Sequence, residues 1–198
     1  MPKIPIEELK KDRAIRATIR GAVFDFRTTW GLFSPEKIDE GTLLLADVIS
    51  VSENDTILDL GCGYGALGIP LAKSAPKGSV HMIDKDFVAI EYAKKNAELN
   101  SVKNVSTYLS NGFDQVPKDI RFNTIVSNLP AKISKEFFWI LFEEARERLA
   151  ENGTLYVVTI AGLQRFTERN FKTIFGNYEL LANKKTYFAA KAVNAAKK

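Results

Sequence analysis

The amino-acid sequence predicts one α/β domain built on a mostly parallel sheet, and three observations carry that prediction. From residue 55 onward, short β-rich apolar runs alternate with longer segments of helical period. A glycine-rich turn, Asp59-Leu60-Gly61-Cys62-Gly63-Tyr64-Gly65, stands where one such run ends and a helix begins. The last two β-rich runs, 178–182 and 186–190, are separated by too few residues for a helical crossover, so they form an antiparallel hairpin. The chain has 198 residues, 45% hydrophobic and 26% charged, enough to bury the core of one domain and too apolar for a disordered chain.

Taken in order, residues 15–19 and 23–26 flank Arg20-Gly21 and partly alternate, which predicts a small β-hairpin. Residues 1–30 thus form a basic segment with a hairpin, and residues 31–198 form the main domain. A helix over about 35–49 links the two. Strands follow at 56–60, 80–84, 105–110, 124–127 and 154–160. The helix over 87–99 sets Phe87, Ile90, Tyr92 or Ala93, Ala97 and Leu99 roughly on the amphipathic period, with Lys94, Lys95 and Glu98 facing water. The next runs from Ser134, an N-cap with Glu136 in the first turn, to about residue 149, and Asn152-Gly153 reads as the stop before the following strand. A last helix over about 163–175 ends at Gly176-Asn177.

The net charge of +4 is unevenly spread. Residues 1–20 carry +3 and residues 184–198 carry +5, which leaves −4 for residues 21–183. An acidic body with basic ends suits a protein whose ends grip a polyanion, because each Lys or Arg on a phosphate releases counterions. No apolar run approaches the roughly 20 residues of a membrane span, and the N-terminus lacks the apolar stretch of a secretory signal, so a cytoplasmic protein is expected. One cysteine, Cys62, and one histidine, His81, exclude a disulfide framework and His- or Cys-rich metal sites, and no metal is expected.

The glycine turn lets backbone N–H groups approach a ligand that side chains would exclude. Gly61-x-Gly63-x-x-Ala66 nearly satisfies a dinucleotide fingerprint, so an oxidoreductase competes at this point. Two acidic strand ends weigh against it. Asp59, two residues before the first glycine, would repel a pyrophosphate and attract an ammonium group, and Asp84 is spaced to accept both hydroxyls of a ribose. Asn111, after the third strand of the series, can read an adenine edge. Ammonium, ribose and adenine in succession describe S-adenosylmethionine.

These residues together resemble those of a class I S-adenosylmethionine-dependent methyltransferase, from Gly31 to nearly the end of the chain. That resemblance implies a Rossmann-like, mostly parallel seven-stranded sheet with an antiparallel C-terminal hairpin. It implies that Asp59, Gly61, Cys62, Gly63, Tyr64 and Gly65 border the methionine moiety, that Asp84 and Lys85 border the ribose, and that Asn111 and Gly112 border the adenine.

A second motif, Ser127-Asn128-Leu129-Pro130-Ala131, resembles the Asn-Pro-Pro-aromatic turn of methyltransferases that modify exocyclic amines. An aryl amine has its lone pair delocalised into the ring and is a poor nucleophile. Hydrogen-bond acceptors can localise it, and the Asn128 side-chain oxygen and the Leu129 carbonyl are the candidates, with Pro130 fixing the turn and Asn128 also near the cofactor. The chain departs from the motif at Leu129, where proline is usual, and at Ala131, where an aromatic stacks on the base. Phe33, Phe137 or Phe138 can supply that face. Asn-Leu-Pro also occurs in adenine-N6 methyltransferases of ribosomal RNA.

A third stretch, Gly31-Leu32-Phe33-Ser34-Pro35 followed by Asp39 and Gly41-Thr42, resembles the Gly-Val-Phe-Ser segment of small-subunit ribosomal RNA guanine-N2 methyltransferases and their single-domain archaeal-type relatives. By that resemblance Phe33 and Ser34 line the cofactor or base pocket, and the helix after Asp39 covers the cofactor. The expected substrate is ribosomal RNA, free or in a small-subunit assembly, with the target base unstacked. Lys132 and Lys135 beside the catalytic turn are the foremost candidates for holding it, with Lys10, Lys11, Arg13, Arg16 and Arg20 near the hairpin. Adenine N6, transfer RNA, a protein glutamine amide and a non-catalytic RNA scaffold are the competing readings.

Overall fold

The computed structural model describes residues 11–131 and 134–196. It opens with a hairpin of β1 (Arg13–Ile19) and β2 (Ala22–Thr28). Ile19 pairs with Ala22, so the loop is the two residues Arg20 and Gly21, and both have positive φ (51° and 78°), as the twist of a tight hairpin demands. Helix α1 (Glu40–Val48) follows, capped by Asp39. It begins five residues later than the pattern suggested, because Ser34 is held at φ 48° and the chain bends through residues 31–37 before Asp39 can start a helix.

The main sheet is assembled from β3 (Thr56–Leu60), β4 (Ser79–Asp84), β5 (Val105–Leu109), β6 (Phe122–Asn128), β7 (Leu149–Ile160), β8 (Glu179–Asn183) and β9 (Tyr187–Val193). Its order is β5-β4-β3-β6-β7-β9-β8. All pairs are parallel except those of β9, which runs antiparallel to β7 and β8. Helices α2 (Gly68–Ser74), α3 (Phe87–Leu99), α4 (Lys135–Arg148) and α5 (Gln164–Phe175) complete the described elements. Ser134 caps α4 through the Phe137 N–H, and Gly176 ends α5 in the left-handed conformation, both as the sequence predicted. Asn152-Gly153, by contrast, does not precede β7 but lies inside it. Asn152 sits at φ 62°, its N–H donating to Asn194 O (2.9 Å) while Asn194 N donates to Gly153 O (2.8 Å), and the pairing with β6 shifts register there.

The sheet has an apolar layer on each face. Along β3, Ile57 packs with Phe24, Phe26, Leu45 and Ile69 on one side, and Leu58 packs with Phe122, Phe138, Phe142 and Phe171 on the other. The hairpin belongs to the first layer, held by two asparagines one helical turn apart, Asn96 on α3 and Asn100 at its C-cap. Asn96 accepts from Arg27 N (2.7 Å) and donates to Arg27 O and Tyr64 O (both 2.9 Å), while Asn100 accepts from Asp25 N (3.0 Å) and donates to Asp25 O (2.7 Å). Two side-chain amides thus pair with the open edge of β2 as a neighbouring strand would. Arg20 turns inward and donates to the last carbonyls of α1, Ala46 O (2.6 Å) and Ile49 O (2.8 Å), and to Ser74 Oγ (3.1 Å). No helix among the described residues is long and apolar enough to cross a membrane.

Candidate active site

A cavity of about 510 Å³ opens at the carboxyl ends of β3, β4 and β6 and the loop after β5, where the sheet order reverses. This is the place at which open parallel sheets bind ligands, and the volume suits a nucleoside-sized one. The floor is the glycine turn. Gly61 N and Cys62 N both donate to Ile83 O (2.9 Å each), and Gly63 N donates to Asp84 Oδ2 (2.9 Å), which ties the turn after β3 to the end of β4. Gly61 and Gly63 have φ of 75° and 54° and face open space, so the turn needs glycine there for its backbone and leaves room for a ligand. Gly65 is different. It lies off the cavity wall and packs against Ile69.

Asp59 reaches the wall at the end of β3 although only 2% of it is exposed. Its Oδ2 accepts from Gly68 N at the start of α2 (2.8 Å), and burial pushes its pKa up to about 7. Asp84 accepts Gly63 N on one oxygen and Asp86 N (2.9 Å) on the other. Each oxygen keeps a further lone pair for a hydroxyl. After β5, Ser110 is buried, donates to Gly112 O (2.8 Å) and accepts from Gln115 N (3.0 Å), which fixes the loop that presents Asn111 and Gly112 to the cavity. Lys85 lies exposed on the rim. Cys62 is buried in the wall and burial raises its thiol pKa. Tyr64 lies buried against Phe26, its hydroxyl donating to Ser34 O (3.3 Å).

Opposite stands the turn after β6. Leu129 N donates to Val158 O (2.8 Å) on β7, and Ser127 Oγ donates to Leu60 O (2.7 Å), so the turn is anchored on both sides. Asn128, Leu129, Pro130 and Ala131 all line the cavity. Asn128 Nδ2 donates to Asp39 Oδ2 (2.8 Å) and to Thr42 Oγ1 (3.0 Å), and Oδ1 accepts no hydrogen bond among the described residues. Tyr187 of β9 donates its hydroxyl to Asp39 Oδ1 (3.0 Å). Burial and the neighbouring Asp39 raise the phenol pKa of Tyr187.

Of the aromatics that could take the place of one at Ala131, Phe33 lines the cavity and is 63% exposed, and Phe137 lines it half-buried. Phe138 is 2% exposed and belongs to the core against Phe142 and Phe166. Ser34 lies outside the lining and donates to Lys37 O (2.7 Å). Lys135 sits beside a shallow groove of α4 and α5, its ammonium 6.0 Å from the Phe166 ring centre. Lys132 and Lys10 lie outside the described residues. The three hairpin arginines put forward for RNA have partners within the protein: Arg13 pairs with Glu36 (2.6 Å), Arg16 with Asp25 (2.7 Å), and Arg20 caps α1. The contact of Asp39 with Asn128 and the arrival of Tyr187 are not legible in the sequence. Asp39-x-Gly41-Thr42 signals a helix start, but no local pattern ties it to residues 89 or more positions away.

A sheet of this order, with its one antiparallel strand inserted next to the edge and a glycine-turn cavity at the switch point, defines a class I S-adenosylmethionine-dependent methyltransferase. The cavity fits that cofactor: two carboxylates at adjacent strand ends, glycines that leave space, and a size that matches. Residues 23–191 match the family described as methyltransferase small domain, and the chain belongs to that family.

It is 33% identical over 177 residues to the uncharacterized protein YbxB of Bacillus subtilis, covering 88% of each chain. It is 32% identical over 159 residues to ribosomal RNA small subunit methyltransferase C of Hamiltonella defensa, covering 78% of this chain and 46% of that one. Among solved structures, the T. thermophilus 16S rRNA N2 G1207 methyltransferase in complex with AdoMet and guanosine superimposes with a TM-score of 0.85 at 27% identity, covering 97% of this chain and 52% of that one. The chain spans about half the length of these two ribosomal RNA methyltransferases.

Proposed function

We propose that this protein methylates an exocyclic base amine of ribosomal RNA, and that the base is guanine, modified at N2, in the small-subunit RNA. The observation that carries the reading is the turn Asn128-Leu129-Pro130, anchored at the end of β6 on the wall of the cofactor cavity. Such a turn presents acceptors to an amine and holds it in line for attack. The names of the relatives support RNA as the substrate.

In this reading Asp59 and the glycine turn hold the amino-acid end of the cofactor, Asp84 and Lys85 the ribose, and Asn111 with Gly112 the adenine. When bound, the cofactor supplies an electrophilic methyl group on a sulfonium centre, which departs as a neutral thioether. Asn128 Oδ1 and the Leu129 carbonyl accept the two N–H bonds of the target amine and aim its lone pair into the cavity. The nitrogen gains positive charge as it bonds to carbon, and those two acceptors stabilise it until a proton passes to solvent. Phe33 and Phe137 provide the faces against which an unstacked base can lie.

The test is nucleoside mass spectrometry on unmodified ribosomal and transfer RNA incubated with the protein and isotope-labelled S-adenosylmethionine. Label in N2-methylguanosine from the small-subunit RNA is the expected result. Label confined to N6-methyladenosine overturns the choice of base, and no label in any RNA overturns the substrate class.

A further inference from the structure

We infer that Asp39, braced by Tyr187, is a positioning residue that sets which end of the Asn128 amide faces the substrate. The inference deepens the reading above and rests on it for the identity of the substrate amine. The two ends of an asparagine amide are nearly alike in shape and opposite in hydrogen-bonding sense. Turned one way, Asn128 offers an oxygen that accepts from a target amine. Turned the other way, it offers donors that compete for the lone pair needed in the reaction. Something must decide between the two.

Asp39 does so because a carboxylate only accepts. Its Oδ2 lies 2.8 Å from Asn128 Nδ2, and the Thr42 hydroxyl lies 3.0 Å from the same nitrogen, so both N–H bonds of the amide have partners on that side. The oxygen end is thereby left for the cavity. Asp39 is itself held by donors from two further places: Thr42 N at 3.1 Å and, from β9 at the far end of the chain, the Tyr187 hydroxyl at 3.0 Å. With Asn128 this makes three donors on two carboxylate oxygens, enough to fix the rotamer. Packing agrees, since a Cβ on Gly41 would stand 2.9 Å from Asp39 Oδ2 and 3.0 Å from the Tyr187 ring, so the cluster closes only over a glycine.

Helix capping does not account for this arrangement. A cap needs one acceptor for Thr42 N, which serine or asparagine supplies as well as aspartate. Asp39→Ser keeps the cap but is too short to span to Asn128, and Asp39→Asn keeps the shape but lets the pair of amides turn either way. Tyr187→Phe removes only the brace.

The experiment measures three quantities on the full chain: S-adenosylhomocysteine affinity, single-turnover methyl transfer at saturating RNA, and the side-chain amide resonances of Asn128, assigned through Asn128→Ala. Both Asp39 variants are expected to bind S-adenosylhomocysteine within about 2-fold of the parent and to lose about 10- to 100-fold in the transfer step, the scale of a lost oriented hydrogen-bonding group. Tyr187→Phe is expected to lose about 3-fold. The Asn128 amide protons, slow to exchange in the parent, are expected to exchange rapidly in Asp39→Ser. Transfer at the parental rate in both Asp39 variants, or unchanged exchange of the Asn128 amide, overturns the inference. Should Asp39→Ser fail to fold, Asp39→Asn and Tyr187→Phe decide through the same readouts. A parent that methylates no RNA refutes the RNA reading alone, because the amide exchange still reports on the orientation of Asn128.

Discussion

Replacing Asp59 by asparagine should remove most of a pH dependence that the fold builds in. The carboxyl lies sealed at the end of β3, accepts a single backbone hydrogen bond from Gly68 N, and has its pKa raised by burial from 3.8 to about 7. Because the folded-state pKa lies above the unfolded one, the native protein binds a proton between those values that the unfolded chain has released. Stability therefore falls as pH rises from about 4 to about 7 and levels off above. A gap of about three pH units, at about 1.4 kcal/mol per unit, makes the loss about 4 kcal/mol.

Asparagine is neutral at every pH and can still accept from Gly68 N, so Asp59→Asn should lack this slope. His81 adds an opposite slope, since burial lowers its pKa and stability is lost as pH falls below the unfolded value of 6.5, but it does so in both proteins and cancels in the comparison. Urea unfolding of parent and variant at half-unit intervals from pH 4 to pH 8 measures the difference. Parallel profiles, separated by the same free energy within about 1 kcal/mol at every pH, would refute the claim that Asp59 folds as the neutral acid.

Three further outcomes follow from the same structure. Cofactor binding that brings cationic groups against Asp59 should return it to the charged form, so calorimetry near pH 7 in buffers of different ionisation enthalpy should report release of about half a proton per site. Asn96→Ala leaves Arg27 N, Arg27 O and Tyr64 O without their partner and should cost about 2–3 kcal/mol in urea unfolding, with hydrogen exchange quickening in β2 before the main sheet. Gly41→Ala pushes a methyl into Asp39 and the Tyr187 ring, and should lower methyl transfer by about 10-fold while a thermal melt shows that the protein still folds.

Much of the fold is legible in the sequence because it is written locally. The strand ahead of the glycine turn, the helix over 87–99, the Ser134 cap and the Gly176 stop each rest on residues within a turn or two of one another, and each stands where the pattern puts it. The glycine turn and the Asn128 turn share one cavity for the same reason: each closes a parallel strand, and parallel strands end on one side of a sheet. What the sequence conceals depends on distant partners. Helix α1 starts late because Ser34 and Pro35 are drawn into a turn closed by Thr28 Oγ1 on Pro35 O (2.6 Å). Asn152-Gly153 becomes an irregularity within β7 because Asn194 pairs with it across the sheet. Asp39 and Tyr187 meet only because β9 is inserted beside β7.

Charge is the case in which counting residues misleads most, and on the proposed reading it sets where RNA can be held. The excess of Lys and Arg in residues 1–20 suggested a grip at the hairpin, yet Arg13 and Arg16 are paired with carboxylates and Arg20 neutralises the end of α1. A cation already committed to a carboxylate gains little from a phosphate, since the exchange leaves an anion exposed near the phosphate. Around the groove of α4 and α5 the balance differs. Lys135 and Arg169 each lie 6.0 Å from the Phe166 ring centre, Trp139 lines the same groove, and neither cation is in an ion pair among the described residues. Aromatic faces flanked by cations are how single strands are held without regard to sequence. Helix α4 also carries Phe137 and Leu141 into the cavity, so on the proposed reading the groove is placed to hold RNA next to the target base. Joint replacement of Lys135 and Arg169 by alanine should therefore weaken RNA binding and flatten the plot of log affinity against log salt by about 1.4, the release expected for two phosphate contacts on a single strand. The same replacement at Arg13 and Arg16 should change neither. An unchanged slope in the first pair together with a flattened one in the second would return the grip to the hairpin.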